Sequence, residues 1–126
     1  MSDVARLVLV MLAGFLGAMG VALSAVAAHR VEAPALVTAA NFMILHAAAT
    51  IAVSAMAGRC RAPRAWAVAA GLMLAGTTLF ASDIALRGLA DLRLFPMAAP
   101  TGGSLMIAAW LAVAAAAFLE LRCRAA

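Results

Sequence analysis

Charge is what this chain has least of. Acidic and basic residues make up 11% of its 126 residues, and none lies within 7–28, 36–58, 65–82 or 94–119. Each of these stretches is about as long as the ~20-residue helix that crosses a ~30 Å hydrocarbon core. The hydrophobic share is 68%, where a soluble domain is about half apolar, and the mean hydropathy is +1.13. The gaps between the stretches leave only short loops, which excludes a separate soluble domain. The expected fold class is all-α integral membrane: one four-transmembrane-helix bundle over 1–126, with helices at about 7–28, 36–58, 65–87 and 100–121.

Other scarcities narrow the chemistry. No GxGxxG, Walker-type, GxSxG or HExxH motif is present, which removes the usual dinucleotide, nucleotide, nucleophile-elbow and zinc-protease readings. No nucleophile–base pair can be assembled, so the chain is not expected to be an enzyme, and no cofactor or metal is expected. There are two cysteines. Cys60 lies between Arg59 and Arg61, and Cys123 between Arg122 and Arg124; both read as free thiols at the headgroup level on the reducing side of the membrane. Neighbouring arginines favour thiolate, so a reactive cysteine is the alternative.

Every basic residue is arginine, and the net charge is +4. The arginines flank apolar spans and form no long basic run, so they read as topology signals and lipid anchors, not as a nucleic-acid footprint. One side holds Arg6, Arg59, Arg61, Arg64, Arg122 and Arg124 against Asp3 and Glu120, a balance of +4. The other holds Arg30, Arg87 and Arg93 against Glu32, Asp83 and Asp91, a balance of zero. By the positive-inside rule both termini are expected in the cytoplasm. The first span also resembles a signal peptide, with Arg6 before it and Ala25, Ala27 and Ala28 near its end. Its apolar run is too long for an h-region of about 7–15 residues, so a retained helix is expected.

Punctuation places the helices. Pro34, Pro63 and Pro100 suit first turns, and Gly58 and Gly88 suit stops. Small residues are abundant: Gly14, Gly17, Ala18, Gly20 and Ser24; Gly71, Ala75 and Gly76; Ala108, Ala112 and Ala116. In lipid such surfaces let helix backbones approach closely, either within the bundle or against a partner. Trp66 reads as an interfacial anchor. Trp110 falls inside the fourth span and must pack or find a hydrogen-bond acceptor.

Polar residues within spans are costly, and so they mark candidate sites. His46 lies about 15 Å from the outer end of the second span at 1.5 Å per residue, near the midplane. It reads first as an interhelical hydrogen bonder, and otherwise as a proton relay or ligand contact. Asn41 is expected to hydrogen-bond between helices. Asp83 and Arg87, four apart with the acid first, share one helix face as an ion pair. Pro100-Thr101-Gly102-Gly103-Ser104 opens the fourth helix with exposed N–H groups and a positive dipole end. His29, Asp83, Arg87, Thr101, Gly102 and Gly103 are therefore expected to gather at the outer face.

At these residues the chain resembles the YgdD-like inner-membrane proteins, the domain of unknown function 423 and transmembrane protein 256 group. The carrying segments are GFLGAMGVALSAVAAH, NFMILHA, AGLMLAGTTLFASD, LFPMAAPTGG and the Trp110 region. The matching positions are His29, His46, Phe80, Pro100, Gly102, Gly103 and Trp110. The family often has Tyr where this chain has Phe42 and Leu45, and Gly-Ser in place of Ser82-Asp83. The resemblance implies four membrane helices in a bacterial cytoplasmic (inner) membrane and supplies no activity. The expected role is a non-catalytic accessory or scaffold subunit of a larger membrane complex, or a small homo-oligomer. The alternative is a proton- or ion-coupled transporter or channel component using His46 and Asp83. Four-helix exporters of this size carry an acid in helix 1, and this chain has none there.

Overall fold

A computed structural model describes residues 2–30 and 34–125. Glu32, counted above among the outer charges, lies outside the described residues. The helices are α1 (Asp3–Ala28), α2 (Pro34–Ala57), α3 (Pro63–Ala90) and α4 (Ala98–Ala125). All four are long and apolar enough to cross a membrane. No strand occurs among the described residues.

Local chemistry sets the helix ends. Ser2 caps α1, its hydroxyl accepting the Ala5 N–H at 3.2 Å, so this helix begins four residues before the uncharged run and carries Asp3 and Arg6 in its first turns. α3 runs through Gly88 and stops at Asp91, in the left-handed region at φ 55°. There the Asp91 and Leu92 N–H groups both reach back to the Leu86 carbonyl, the latter at 3.3 Å, and close the helix end. Gly88 is therefore not the stop its composition suggested. α4 begins at Ala98, so Pro100 is its third residue, still in the first turn, where no N–H is needed.

α2 and α3 form the centre, with α1 packed on α2 and α4 packed on α3; α1 touches α3 more lightly. α1 and α4 do not pack against each other. α1 buries one stripe, Ala13, Leu16, Gly20, Leu23 and Ala27, in alternating steps of three and four. α2 is buried on two sides, which is why its buried set includes Leu36, Ala39, Ala40, Met43, His46 and Ala47. Trp66 is buried in a core cluster with Val53, Ala69, Met73 and Ala116. It is a core residue and not the interfacial anchor expected.

Glycine matters at two crossings. A Cβ on Gly20 would stand 2.9 Å from the Met43 Cβ and 3.2 Å from the Ala40 carbonyl oxygen, so α1 and α2 meet there. A Cβ on Gly102 would stand 2.5 Å from the Phe80 nitrogen and 2.7 Å from the Gly76 oxygen, so α4 lies backbone to backbone on α3. Gly17 faces Ala47, but Gly14 and Gly71 have open space. The expected packing role of Gly14 is thus corrected: it points away from the bundle. The Ala108–Ala112–Ala116 stripe also divides, with Ala116 buried and Ala108 exposed. α4 turns Ala99, Gly102, Met106, Ala109 and Ala116 inward instead.

Gly102→Ala should destabilise the protein by about 1–3 kcal/mol, because the obstructing atoms are backbone. Gly103→Ala, with nothing within 4 Å, should be neutral or gain up to about 1 kcal/mol of helix propensity. Parallel unfolding titrations in detergent micelles measure both; equal losses would contradict the crossing.

Candidate functional site

Three polar constellations occupy three depths. The middle one is built on His46, which is 1% exposed. Its Nδ1 lies 3.0 Å from the Phe42 carbonyl oxygen, one helical turn earlier. Its Nε2 lies 3.2 Å from Trp110 Nε1 on α4. A carbonyl can only accept and an indole N–H can only donate. The geometry therefore fixes the neutral tautomer: Nδ1–H donates to Phe42, and Nε2 accepts from Trp110. The aromatic surround completes the setting. The Phe42 and Phe80 ring centroids are 5.5 Å apart, edge to face, and those of His46 and Trp110 are 6.0 Å apart. A groove of about 370 Å³ opens beside them, lined by Phe42, His46, Phe80, Gly103, Met106 and Trp110. Trp110 is 46% exposed, so its indole covers the histidine from outside.

The second constellation lies where α3 approaches the α3–α4 loop. Asp83 is 0% exposed. One carboxylate oxygen pairs with the Arg87 guanidinium, and the other accepts the Leu94 N–H at 3.0 Å. The carboxylate thus holds both its own helix and the following loop. Near it, Arg30 Nη1 donates to the Gly88 carbonyl at 3.3 Å, tying the end of α1 to the last turns of α3.

The expected outer cluster forms only in part. The structure joins Asp83 with Arg87, but among the described residues no hydrogen bond or ion pair links His29 or Thr101 to them. Both of those residues are exposed. The α4 N-terminus does not receive Asp83; Leu94 does. Gly102 is spent on the α3 crossing and Gly103 on the His46 groove. Asn41 is exposed on α2 and makes no described interhelical bond, which corrects its expected role. It points to the same side as the outward apolar residues Ile44 and Leu45.

The third constellation was missed from sequence. Glu120, near the end of α4, is buried. It accepts the Arg61 N–H at 2.9 Å and the Ala62 N–H at 3.3 Å, and pairs with Arg124 Nε at 2.8 Å. α3 has no side-chain cap of its own, so α4 supplies the anion that its first turn favours. The i,i+4 spacing of Glu120 and Arg124 was visible; the contact with a turn fifty-nine positions away was not. Also unforeseen are Thr50, Ser54 and Thr77, fully buried hydroxyls with no partner. Thr50 and Ser54 continue the His46 stripe at steps of four.

Among the described residues, no three His, Cys, Asp or Glu side chains come together in a way that would hold a metal. A larger groove of about 800 Å³ runs between α1 and α3, lined by Leu12, Phe15, Met19, Gly71, Ala75 and Thr78 among others. It is almost wholly apolar and separate from His46.

A family model described as "Protein of unknown function (DUF423)" matches residues 16–103. The chain belongs to this family. The match spans His46, Asp83 and the Gly76–Gly102 crossing, and stops before Trp110 and Glu120. No curated protein and no solved structure matches the chain.

Two tests follow from the geometry. His46→Leu and Trp110→Phe should couple by about 0.5–1.5 kcal/mol in a double-mutant cycle read by unfolding, the range of interhelical hydrogen bonds in membranes; strict additivity would mean the bond is idle. Arg87→Ala should cost more than Asp83→Ala, about 3 kcal/mol, because it strands a fully buried carboxylate. The arginine is 32% exposed and, left alone, can reach solvent. The reverse ranking would contradict the pair geometry.

Proposed function

We propose that this protein is a non-catalytic, multi-pass membrane protein that acts by association, as an accessory or scaffold subunit of a larger membrane complex or as a small homo-oligomer. Its place is the bacterial cytoplasmic membrane, with both termini in the cytoplasm; the +4 balance at the end carrying both termini supports that orientation. One observation carries the reading: the polar groups best suited to chemistry are occupied by the chain itself. Both His46 nitrogens are engaged, as are both Asp83 oxygens. What stays free is apolar surface, including Leu7, Met11, Phe15 and Met19 on α1 and Ile107, Leu111 and Phe118 on α4. A chain whose buried histidine and aspartate are already engaged and whose flanking helices are uncovered is suited to contact and poorly suited to turnover.

The second reading, a proton- or ion-coupled transport component using His46 and Asp83, has one observation in its favour. Thr50, Ser54 and Thr77 are buried without partners, and the first two lead from His46 toward the arginine-rich end. Gentle solubilisation of a tagged copy from its native membrane, followed by native mass spectrometry, separates the two. A stoichiometric larger partner or a discrete homo-oligomer is expected. A bare monomer whose binding of a small ligand depends on pH, and is lost in His46→Leu, would overturn the accessory role and favour transport.

A further inference from the structure

We propose that the turn joining α2 to α3 binds the phosphate of an anionic phospholipid headgroup through Arg59, Arg61 and Arg64. The proposal rests on membrane insertion but not on the accessory role. The three arginines fall within six residues and are exposed. The turn lies between two charge-free stretches, 36–58 and 65–82, which places it at the boundary of the hydrocarbon.

Charge bookkeeping separates these arginines from most of the others; Arg93, at the opposite end, is also exposed and has no described partner. At the same end, Arg6 pairs with Asp3 at 3.1 Å and Arg124 with Glu120 at 2.8 Å, while the Arg122 guanidinium stands 5.4 Å from the centre of the Phe118 ring. Asp3 and Glu120 are the only acidic side chains among the described residues at that end, and both are taken. Glu120 faces inward onto the Arg61 and Ala62 N–H groups, so it holds the turn in shape without neutralising Arg59 or Arg64. At the opposite end, Arg30 is engaged with Gly88 and Arg87 with Asp83.

The turn is also shaped. Arg61 Nη1 is fixed on the Cys123 carbonyl at 2.8 Å, which orients the guanidinium; among the described residues its other nitrogens have no partner. A recess of about 440 Å³ lies beside it, lined by Arg61, Ala62, Pro63, Arg64 and Ala65. The recess opens at the start of α3, where the helix dipole is positive. Guanidinium forks match phosphate oxygens two to two, and a headgroup phosphate is the anion present at that depth.

The test uses the purified full chain in neutral detergent, titrated with phosphatidylglycerol or phosphatidylcholine of identical acyl chains and read by native mass spectrometry. Phosphatidylglycerol should bind about tenfold more tightly, and Arg59→Gln with Arg64→Gln should remove most of that preference. Arg93→Gln, at the other end, should leave it intact. Circular dichroism establishes that each variant is folded; should the double variant not be, Arg59→Gln and Arg64→Gln are read singly, and each should weaken the preference. Equal retention of the two lipids overturns the proposal, as does a folded double variant that keeps the preference. An added arm with excess inorganic phosphate distinguishes the source: displacement of phosphatidylglycerol by free phosphate as effective as the lipid itself would reassign the turn to a soluble anion.

Discussion

The structure depends on one constraint: an apolar surrounding offers no partner for a polar group, so the chain must supply its own. Helices satisfy the backbone, but their ends and the few polar side chains are left over. Here the buried acids and the buried histidine are matched to partners, while the Thr50, Ser54 and Thr77 hydroxyls are not. Asp83 takes the Leu94 N–H and Arg87, Glu120 takes the uncapped start of α3, and His46 sits between Phe42 and Trp110. Two buried carboxylates, at opposite ends of the array, each fasten a loop as well as a cation. The arrangement treats acids as clasps, and the scarcity of charge is what makes each clasp decisive.

Much of the architecture was legible because the solvent writes it into composition. Uncharged runs must be helices, and proline marks their first turns. Helix faces were far less legible. All four helices are apolar nearly all round, so sequence period cannot say which stripe meets a neighbour. That is why Gly14 looked equivalent to Gly20, although only the latter meets α2, and why Ala108 looked equivalent to Ala116. Trp66 misled for a related reason: its position beside the basic turn suited an anchor, while its ring is taken into the core.

Of the polar sites, local pairs were readable and distant ones were not. Asp83 and Arg87 are four residues apart, and one helix turn brings them together. Trp110's need for an acceptor was evident, but the identity of that acceptor is a tertiary fact, as is the grip of Glu120 on the α2–α3 turn. His29 and Thr101 have no described bond to Asp83 because the loop backbone at Leu94 reaches the carboxylate instead.

The bond from Trp110 to His46 also has a meaning in time. Its partners are 64 positions apart, so at about 5–20 residues per second a ribosome takes roughly 3–13 s to deliver the indole after the imidazole has emerged. Through that interval the second helix carries a ring nitrogen with no donor to meet it, and the later turn at Arg61 waits equally long for its carboxylate. A later helix closes what the earlier parts leave open, so α2 and the α2–α3 turn are completed only when α4 arrives.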